Sequence, residues 1–181
     1  VVACTVLLER SVTMFNDLTV DPLGRVYVGT IPHRGSPAER WPATGELFLV
    51  DLDGSARVVA KDLRTPQRRR ALSPDRSRLY LCDSISQVVL QFRVDVETGD
   101  LHDRRALIET EGGFPDGMAV AVDGSIWLAH SHAGFVARYS AGGRLVEKLL
   151  MPDSVVTSVG FGGPRTGGPV HHRLGAQRDR R

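Results

Sequence analysis

Apolar and polar residues alternate over most of this chain, which is the pattern of β-strands that bury one face. In residues 25–30, "RVYVGT", Val26 and Val28 share one side of the predicted strand, while Tyr27 and Gly29 share the other. No long segment repeats its apolar residues with the spacing of an amphipathic helix. The sequence therefore predicts an all-β protein.

One pattern of lead, turn and strand occurs three times. Each copy has a small or apolar lead, a turn with Asp and Gly or Ser, and a strand with a central aromatic residue. The three copies are "VDPLGRVYVGT" (20–30), "LSPDRSRLYLCDS" (72–84) and "VAVDGSIWLAH" (120–130). Their central aromatic residues, Tyr27, Tyr80 and Trp127, are 53 and 47 residues apart. Repeats of this length are typical of β-propeller blades.

A hairpin follows each copy of the repeat and completes a four-stranded unit. These hairpins are "GELFLVDLDGSARVVA" (45–60), "QVVLQFRVDVETGDLHDRRAL" (87–107) and "GFVARYSAGGRLVEKLL" (134–150). The sequence thus predicts three blades, and "SVVTSVGFGG" (154–163) resembles the first strand of a fourth. The alternative is an antiparallel sandwich in which the hairpins are similar by chance. An open propeller would leave an apolar face exposed on each terminal blade, so we expect possible self-association through these open edges.

Charge and composition favour one domain with a distinct tail. The chain has 181 residues, 41% of them hydrophobic, and a formal net charge of +2. Residues 165–181 contain five Arg and one Asp, so the rest of the chain is mildly acidic. We predict a partial propeller over 1–163 and a basic tail over 164–181 that is disordered or produced by a shifted reading frame. The tail has no aromatic residue for stacking on a base, so we expect no nucleic-acid partner.

Cysteine content and hydropathy give weak expectations about location. The two cysteines, Cys4 and Cys82, are far apart, which fits a reducing compartment better than a disulfide scaffold. The opening "VVACTVLLER" is too short an apolar run to span a bilayer, so we expect no membrane partner. We therefore expect a cytoplasmic protein.

One feature of the first repeat is unusual for a strand. Asn16 and Asp17 are poor strand formers, yet they directly precede the apolar Leu18 in a segment that otherwise reads as a strand. A turn signal already follows in "DPLGR" (21–25), so this pair is not needed for that turn.

The combination of motifs resembles the SMP-30/gluconolactonase family, also called regucalcin-like, as a fragment. The matching stretches, in family order over about residues 14–164, are "FNDLTVDPLGRVYVGT", "GELFLVDLDG", "LSPDRSRLYLCDS", "TGDLHDRR", "GGFPDGMAVAVDGSIWLA" and "VTSVGFGGP". The resemblance implies a six-bladed propeller, of which about three to three and a half blades are present. It also implies a sugar-lactone hydrolase with one divalent cation, such as Ca²⁺, Zn²⁺, Mn²⁺ or Mg²⁺, in the central channel.

The resemblance assigns roles to two residues. Asp116, in "FPDGMAV", matches the family aspartate that binds the metal and serves as the catalytic base. Asn16 matches the family's channel asparagine, which contacts the substrate or the metal; its structural alternative is an Asx turn. Carboxylate and amide oxygens suit a hard cation. Asp17 and Asp83 lie at matching strand positions, and we expect both to be structural.

Three departures from the family pattern predict impaired activity of this fragment. Met14 stands where the family has an arginine. In "QRRRALSPD" (67–75), Arg68 occupies a family metal-ligand position that carries asparagine, and a cation should not bind there. The family's metal-binding glutamate, which belongs to an earlier blade, has no counterpart in these 181 residues. The alternative function is a catalytically silent propeller remnant or interaction scaffold.

Other chemistry has less support in the sequence. His130 and His132, in "AHSHAG", have a spacing that zinc sites sometimes use, but we expect them to be half-exposed histidines at a strand end. The chain has no Gly-x-Ser-x-Gly elbow, P-loop or dinucleotide fingerprint.

Overall fold

The computed structural model describes residues 12–32, 44–64, 67–162 and 172–173. These residues form three four-stranded antiparallel sheets and one two-stranded sheet. The all-β prediction is confirmed, and the described residues contain no helix. Accordingly, nothing in the described part of the chain is a helix that could cross a membrane.

In each four-stranded sheet, strands that follow one another in the sequence are hydrogen-bonded neighbours. The first contains β1 (Val12–Val20), β2 (Val26–Pro32), β3 (Thr44–Val50) and β4 (Ala56–Arg64). The second contains β5 (Gln67–Leu72), β6 (Arg78–Asp83), β7 (Val88–Val94) and β8 (Leu101–Glu109). The third contains β9 (Phe114–Val120), β10 (Ile126–Ser131), β11 (Phe135–Tyr139) and β12 (Leu145–Leu150). β13 (Gly160–Phe161) and β14 (His172–Arg173) form the two-stranded sheet.

The turn between the first two strands of each sheet forms at the residues that the sequence predicts. In the first sheet, the Asp21 carboxylate accepts hydrogen bonds from the amides of Leu23 and Arg25, both at 2.9 Å. Gly24 takes φ 85° there. The equivalent turn of the second sheet has Arg76 at φ 62°, a conformation that favours glycine. The same turn therefore forms with a less suitable residue.

The apolar core lies between the sheets. Tyr27, near the start of β2, packs with leucines of the second sheet, and its hydroxyl donates to the carbonyl of Gly99 at 2.8 Å. Tyr80 packs in the cluster between the second and third sheets. Trp127 packs against the segment that follows the third sheet. Each of these three aromatic residues thus packs against the next sheet or segment along the chain, which is the stacking expected of successive propeller blades.

The expectation of an exposed apolar face on the last blade is wrong. Trp127 and Val136 are buried, and they contact Val156 and Val159 of the segment after β12. Phe161 adds an edge-to-face contact with Trp127, with ring centroids 6.4 Å apart. Residues 154–161 therefore cover the face that we expected to be open.

The outer face of the first sheet carries both exposed and buried apolar side chains. Leu18 and Val20 are 54% and 53% exposed, whereas Phe48 on the same face is fully buried. Among the described strand residues of this sheet, the exposed large apolar side chains all lie on β1. Within the predicted basic tail, His172 and Arg173 pair with β13; the rest of that tail lies outside the described residues.

Candidate functional site

The Asn16-Asp17 pair forms a β-bulge in the innermost strand of the first sheet. Phe15 pairs with Thr30 and Leu18 pairs with Val28, so two residues of β1 oppose a single residue of β2. A bulge inserts an extra residue, bends the strand and redirects a side chain. Poor strand formers are tolerated at such a point because regular pairing is already interrupted there.

The second and third sheets have the same bulge at the same place. In β5, the flanking pairs Gln67 with Asp83 and Arg70 with Leu81 enclose residues 68–69. In β9, the flanking pairs Pro115 with His130 and Met118 with Leu128 enclose residues 116–117. The first bulge residues are Asn16, Arg68 and Asp116. The three positions named by the sequence are therefore structurally equivalent.

The bulged strands are neighbours. β1 contacts β5, β5 contacts β9, and β9 contacts β13. The Arg70 guanidinium of β5 donates to the backbone carbonyl of Asp17 in β1, next to the first bulge. On the other side, the Gly117 amide of β9 donates to the Thr157 carbonyl at 2.9 Å. The three equivalent bulges thus lie side by side on the adjacent strands β1, β5 and β9. We call this row of bulged strands the wall.

Residues 154–161 extend this wall by one position. Val156 and Val159 are both buried against the third sheet. In a regular strand, residues three apart point to opposite faces, so the two residues between them interrupt the alternation as a bulge does. Those two residues are Thr157 and Ser158, and Thr157 is bonded to Gly117 of the neighbouring bulge. We call Asn16, Arg68, Asp116 and Thr157 the bulge row. Sequence reasoning missed Thr157, although "SVVTSVGFGG" (154–163) resembles the first strand of a fourth blade.

Burial differs along the bulge row. The Asp116 side chain is only 5% exposed. Asn16 is half-buried, and so is Thr157. A buried carboxylate beside a partly open wall is a suitable position for a group that exchanges a proton with a bound molecule.

Arg70 places a permanent positive charge beside the bulge row. It is 4% exposed, and burial lowers the pKa of its guanidinium to about 10, against the opposing effect of the Asp17 carboxylate. The group is therefore still protonated at neutral pH. Sequence reasoning assigned no role to Arg70, because arginine is most often a surface residue. The run of three arginines in "QRRRALSPD" (67–75) was the sequence signal that could have pointed to a positive charge at this place.

The bulge row does not fit a divalent cation. A hard cation prefers about six oxygen ligands, whereas this row offers the Asp116 carboxylate, one amide oxygen and one hydroxyl. Arg68 occupies the position between the two oxygen-bearing strands β1 and β9. Among the described residues, no group of three or more His, Cys, Asp or Glu side chains could hold a metal ion.

The other two aspartates have structural contacts, as expected. Asp17 accepts a hydrogen bond from the Leu18 amide at 2.9 Å. Asp83 is buried and accepts from the amides of Ser86 at 2.9 Å and Arg64 at 3.3 Å. Both carboxylates therefore organise the backbone.

The expectation that His130 is half-exposed is wrong. Its ring is fully buried, stacks on Phe135 at 4.3 Å and lies 3.1 Å from both the Gly112 carbonyl and the Tyr139 hydroxyl. Burial lowers the pKa of this imidazole. His132 is exposed, so the two histidines do not share an environment.

Comparison with known proteins identifies the family. Residues 3–167 match the SMP-30/Gluconolactonase/LRE-like region. This chain belongs to that family. The chain is 36% identical over 156 residues to pentonolactonase XacC of Haloferax volcanii, covering 85% of this chain and 51% of that protein. It is 36% identical over 152 residues to 6-deoxy-6-sulfogluconolactonase of Pseudomonas putida, covering 82% and 50%.

A solved structure of the family supports the blade assignment. The calcium-binding protein regucalcin of Agrobacterium tumefaciens matches with a TM-score of 0.71 and 25% identity, covering 83% of this chain and 50% of that one. The three sheets correspond to half of a six-bladed propeller. The chain thus spans about half the length of these relatives.

Proposed function

We propose that this chain carries part of the active site of a sugar-lactone hydrolase, with Asp116 as the general base and Asn16 as a substrate-orienting residue. The observation that carries the proposal is the shared bulge, which gives Asn16 and Asp116 equivalent positions in one wall. The family relatives named as a pentonolactonase and a sulfogluconolactonase support lactones as the substrate class.

The chain's own groups suit the proton transfers of ester hydrolysis. The Asp116 carboxylate takes a proton from a water molecule as its oxygen attacks the ring carbonyl carbon. The Asn16 side-chain amide donates a hydrogen bond to the lactone and holds it in place. The ring C–O bond then breaks, its oxygen takes the proton from the Asp116 carboxyl group, and the product is the open sugar acid.

We further propose that the activity of the 181-residue chain is impaired. Relatives include a calcium-binding regucalcin, which supports a divalent cation as a ligand of family members. In this chain, the Arg68 position adds a positive charge where an oxygen ligand is needed, and like charges at close range oppose cation binding. Weak or absent cation binding is expected here.

A second candidate is a catalytically silent propeller remnant or interaction scaffold. The observation that favours it is the same arginine at a bulge position, together with the incomplete set of oxygen ligands among the described residues. Under this alternative, the sheets remain stably packed, but the bulge row does not catalyse a reaction.

The Arg68→Asn substitution separates the two candidates. The assay follows acid release from gluconolactone at constant pH, with added Ca²⁺ or with EDTA. If this chain retains a lactonase site, Arg68→Asn should gain a small calcium-dependent rate, and adding Asp116→Asn should remove it. Arg69→Asn is the matched control, and it should leave the rate at background. A calcium-dependent rate that survives loss of the Asp116 carboxylate would overturn the roles assigned here; no gain at saturating Ca²⁺ would favour the scaffold.

A further inference from the structure

A turn of the second sheet holds the segment that leads into the third bulge. The turn is residues 84–87, between β6 and β7, and the segment is residues 110–115, which begins after β8 and ends at the bulge. The Gln87 carbonyl accepts a hydrogen bond from the Thr110 amide at 2.8 Å, and the Gln87 side-chain amide donates to the Gly113 carbonyl at 3.2 Å. A different sheet therefore fixes the path of the chain into the bulge.

Ser84 makes the contact of this turn that lies nearest to the proposed base. Its hydroxyl donates to the Pro115 carbonyl at 2.6 Å, and Ser84 is only 2% exposed. That carbonyl belongs to the planar peptide group that joins Pro115 to Asp116, so the bond fixes the plane next to which the Asp116 side chain projects. A buried carbonyl that loses its partner costs free energy, which keeps the two groups together.

The turn gives Ser84 a defined position. The carboxylate of the adjacent Asp83 accepts from the Ser86 amide at 2.9 Å, and the Ser84 carbonyl accepts from the Gln87 amide at 3.3 Å. The hydroxyl that holds Pro115 is thus presented by a closed turn rather than by a loose loop.

The other side of the bulge is also held from outside the third sheet. The Gly117 amide donates to the Thr157 carbonyl at 2.9 Å. A bulge interrupts the hydrogen-bond ladder of its own sheet, so these outside partners give the bulged residue a single orientation. Asp116 therefore lies between two anchored backbone groups, one held by Ser84 and one by Thr157.

We propose that Ser84 is a positioning residue for Asp116, because its hydroxyl holds the peptide group from which the carboxylate takes its direction. A general base must lie within hydrogen-bond reach of the proton that it takes, and small displacements reduce the rate strongly. This inference rests on the proposed function, in which Asp116 is the general base.

The test is nuclear magnetic resonance of the 181-residue chain with isotope labels in the aspartate carboxyl groups and the backbone amides. In Ser84→Ala, the carboxylate signal of Asp116 should move, whereas that of Asp123, in a turn of the same sheet, should not. Amide hydrogen exchange at Gly117 should become about tenfold faster, as expected when one nearby hydrogen bond is lost. Amide exchange at Tyr27, in the first sheet, should keep the parent rate.

Two further variants make the result specific. Ser84→Cys nearly keeps the size of the side chain but offers only a weak donor, so it should change the same two signals, and it decides the question if Ser84→Ala does not fold. Ser125→Ala is the matched control, because Ser125 is 5% exposed and its hydroxyl bonds at 2.6 Å to Asp123 within one turn. The Asp116 and Gly117 signals of this control should resemble those of the parent chain.

Unchanged Asp116 and Gly117 signals in both Ser84 variants would overturn the proposal. An equal change in Ser125→Ala, or equally faster exchange at Tyr27, would also overturn it, because either result would show a general loss of stability. The lactonase assay described above is independent of these spectra. A displaced Asp116 carboxylate without lactone hydrolysis by any variant would leave the role of Ser84 standing and count only against the proposed catalysis.

Discussion

Asn16 and Asp116 occupy the same position in two different sheets, each as the first residue of a two-residue bulge in the innermost strand. The strand between theirs, β5, has the same bulge with Arg68 at the equivalent place. The same backbone bulge therefore recurs on three neighbouring strands. Bulges are frequent next to active sites, where they redirect a side chain and end regular pairing.

Gly117, the second residue of the third bulge, is required for close contact with residues 154–161. A Cβ atom there would lie 2.6 Å from both the Ser158 Cα and the Thr157 carbonyl oxygen. We predict that Gly117→Ala lowers the free energy of unfolding by about 1–3 kcal/mol, because backbone on both sides must shift. Urea denaturation measures this, and the contact between Trp127 and Phe161 should be disturbed as well.

Gly142→Ala is the matched control. A Cβ atom at Gly142 would meet only the Ser140 hydroxyl at 3.8 Å, an ordinary contact distance. We expect this variant to unfold at nearly the parent urea concentration. Equal effects of the two substitutions would show that residues 154–161 do not pack against β9 as described.

The sequence predicted the fold well because its signals are local. Strand alternation, turn residues and the spacing of Tyr27, Tyr80 and Trp127 each depend on a few neighbouring positions. The positions of Asn16, Arg68 and Asp116 came from similarity to a family. The bulge that makes them equivalent could not be predicted, since a bulge is a property of the register between two strands.

Burial at strand ends was harder to predict. His130 was expected to be half-exposed, because nothing near it in sequence shows that Tyr139 and the Gly112 carbonyl will enclose its ring. The cover over Trp127 was missed for a similar reason, since it comes from a segment about thirty residues later. Both errors concern contacts with other strands or segments, which the alternation of residues within one strand does not show.

His130 should make the protein less stable in mild acid. Burial lowers its pKa in the folded state, with the nearby Lys148 charge acting in the same direction, so the folded protein keeps the ring neutral. The unfolded chain takes up a proton below a pH of about 6.5, and stability is then lost by up to about 1.4 kcal/mol per pH unit. Above that pH this contribution is constant.

Thermal unfolding at several pH values tests this account of His130. His130→Gln should weaken the loss of melting temperature between neutral and mildly acidic pH, whereas the exposed His132→Gln should not. A pH dependence that is unchanged in His130→Gln would show that another group causes it.

Arg25 forms a buried ion pair within the first sheet and hydrogen bonds that connect it to the second. Its Nε lies 2.7 Å from an Asp21 carboxylate oxygen, and its terminal nitrogens donate to the carbonyls of Glu97 and Val96 at 2.7 and 2.8 Å. We predict that Arg25→Met lowers the free energy of unfolding by about 3–5 kcal/mol, since Asp21 is left buried without its partner. Denaturant titration provides the measurement.

The exposed pair of Arg93 and Asp103 is the control for Arg25. These side chains are 61% and 70% exposed although Nε and carboxylate oxygen are also 2.7 Å apart. Water already solvates both groups, so Arg93→Met should change stability little. If both substitutions cost the same, the Arg25 contacts do not hold the two sheets together.

The most direct test of the central claim, that the bulge row of this chain no longer forms a cation-dependent lactonase site, is gluconolactone hydrolysis by the purified 181-residue chain. Acid release is followed at constant pH with Ca²⁺, Mn²⁺ or Zn²⁺ and again with EDTA, in parallel with Asp116→Ala. We predict that the parent chain shows no EDTA-sensitive rate above the buffer and does not differ from Asp116→Ala. An EDTA-sensitive rate that disappears in Asp116→Ala would contradict this account.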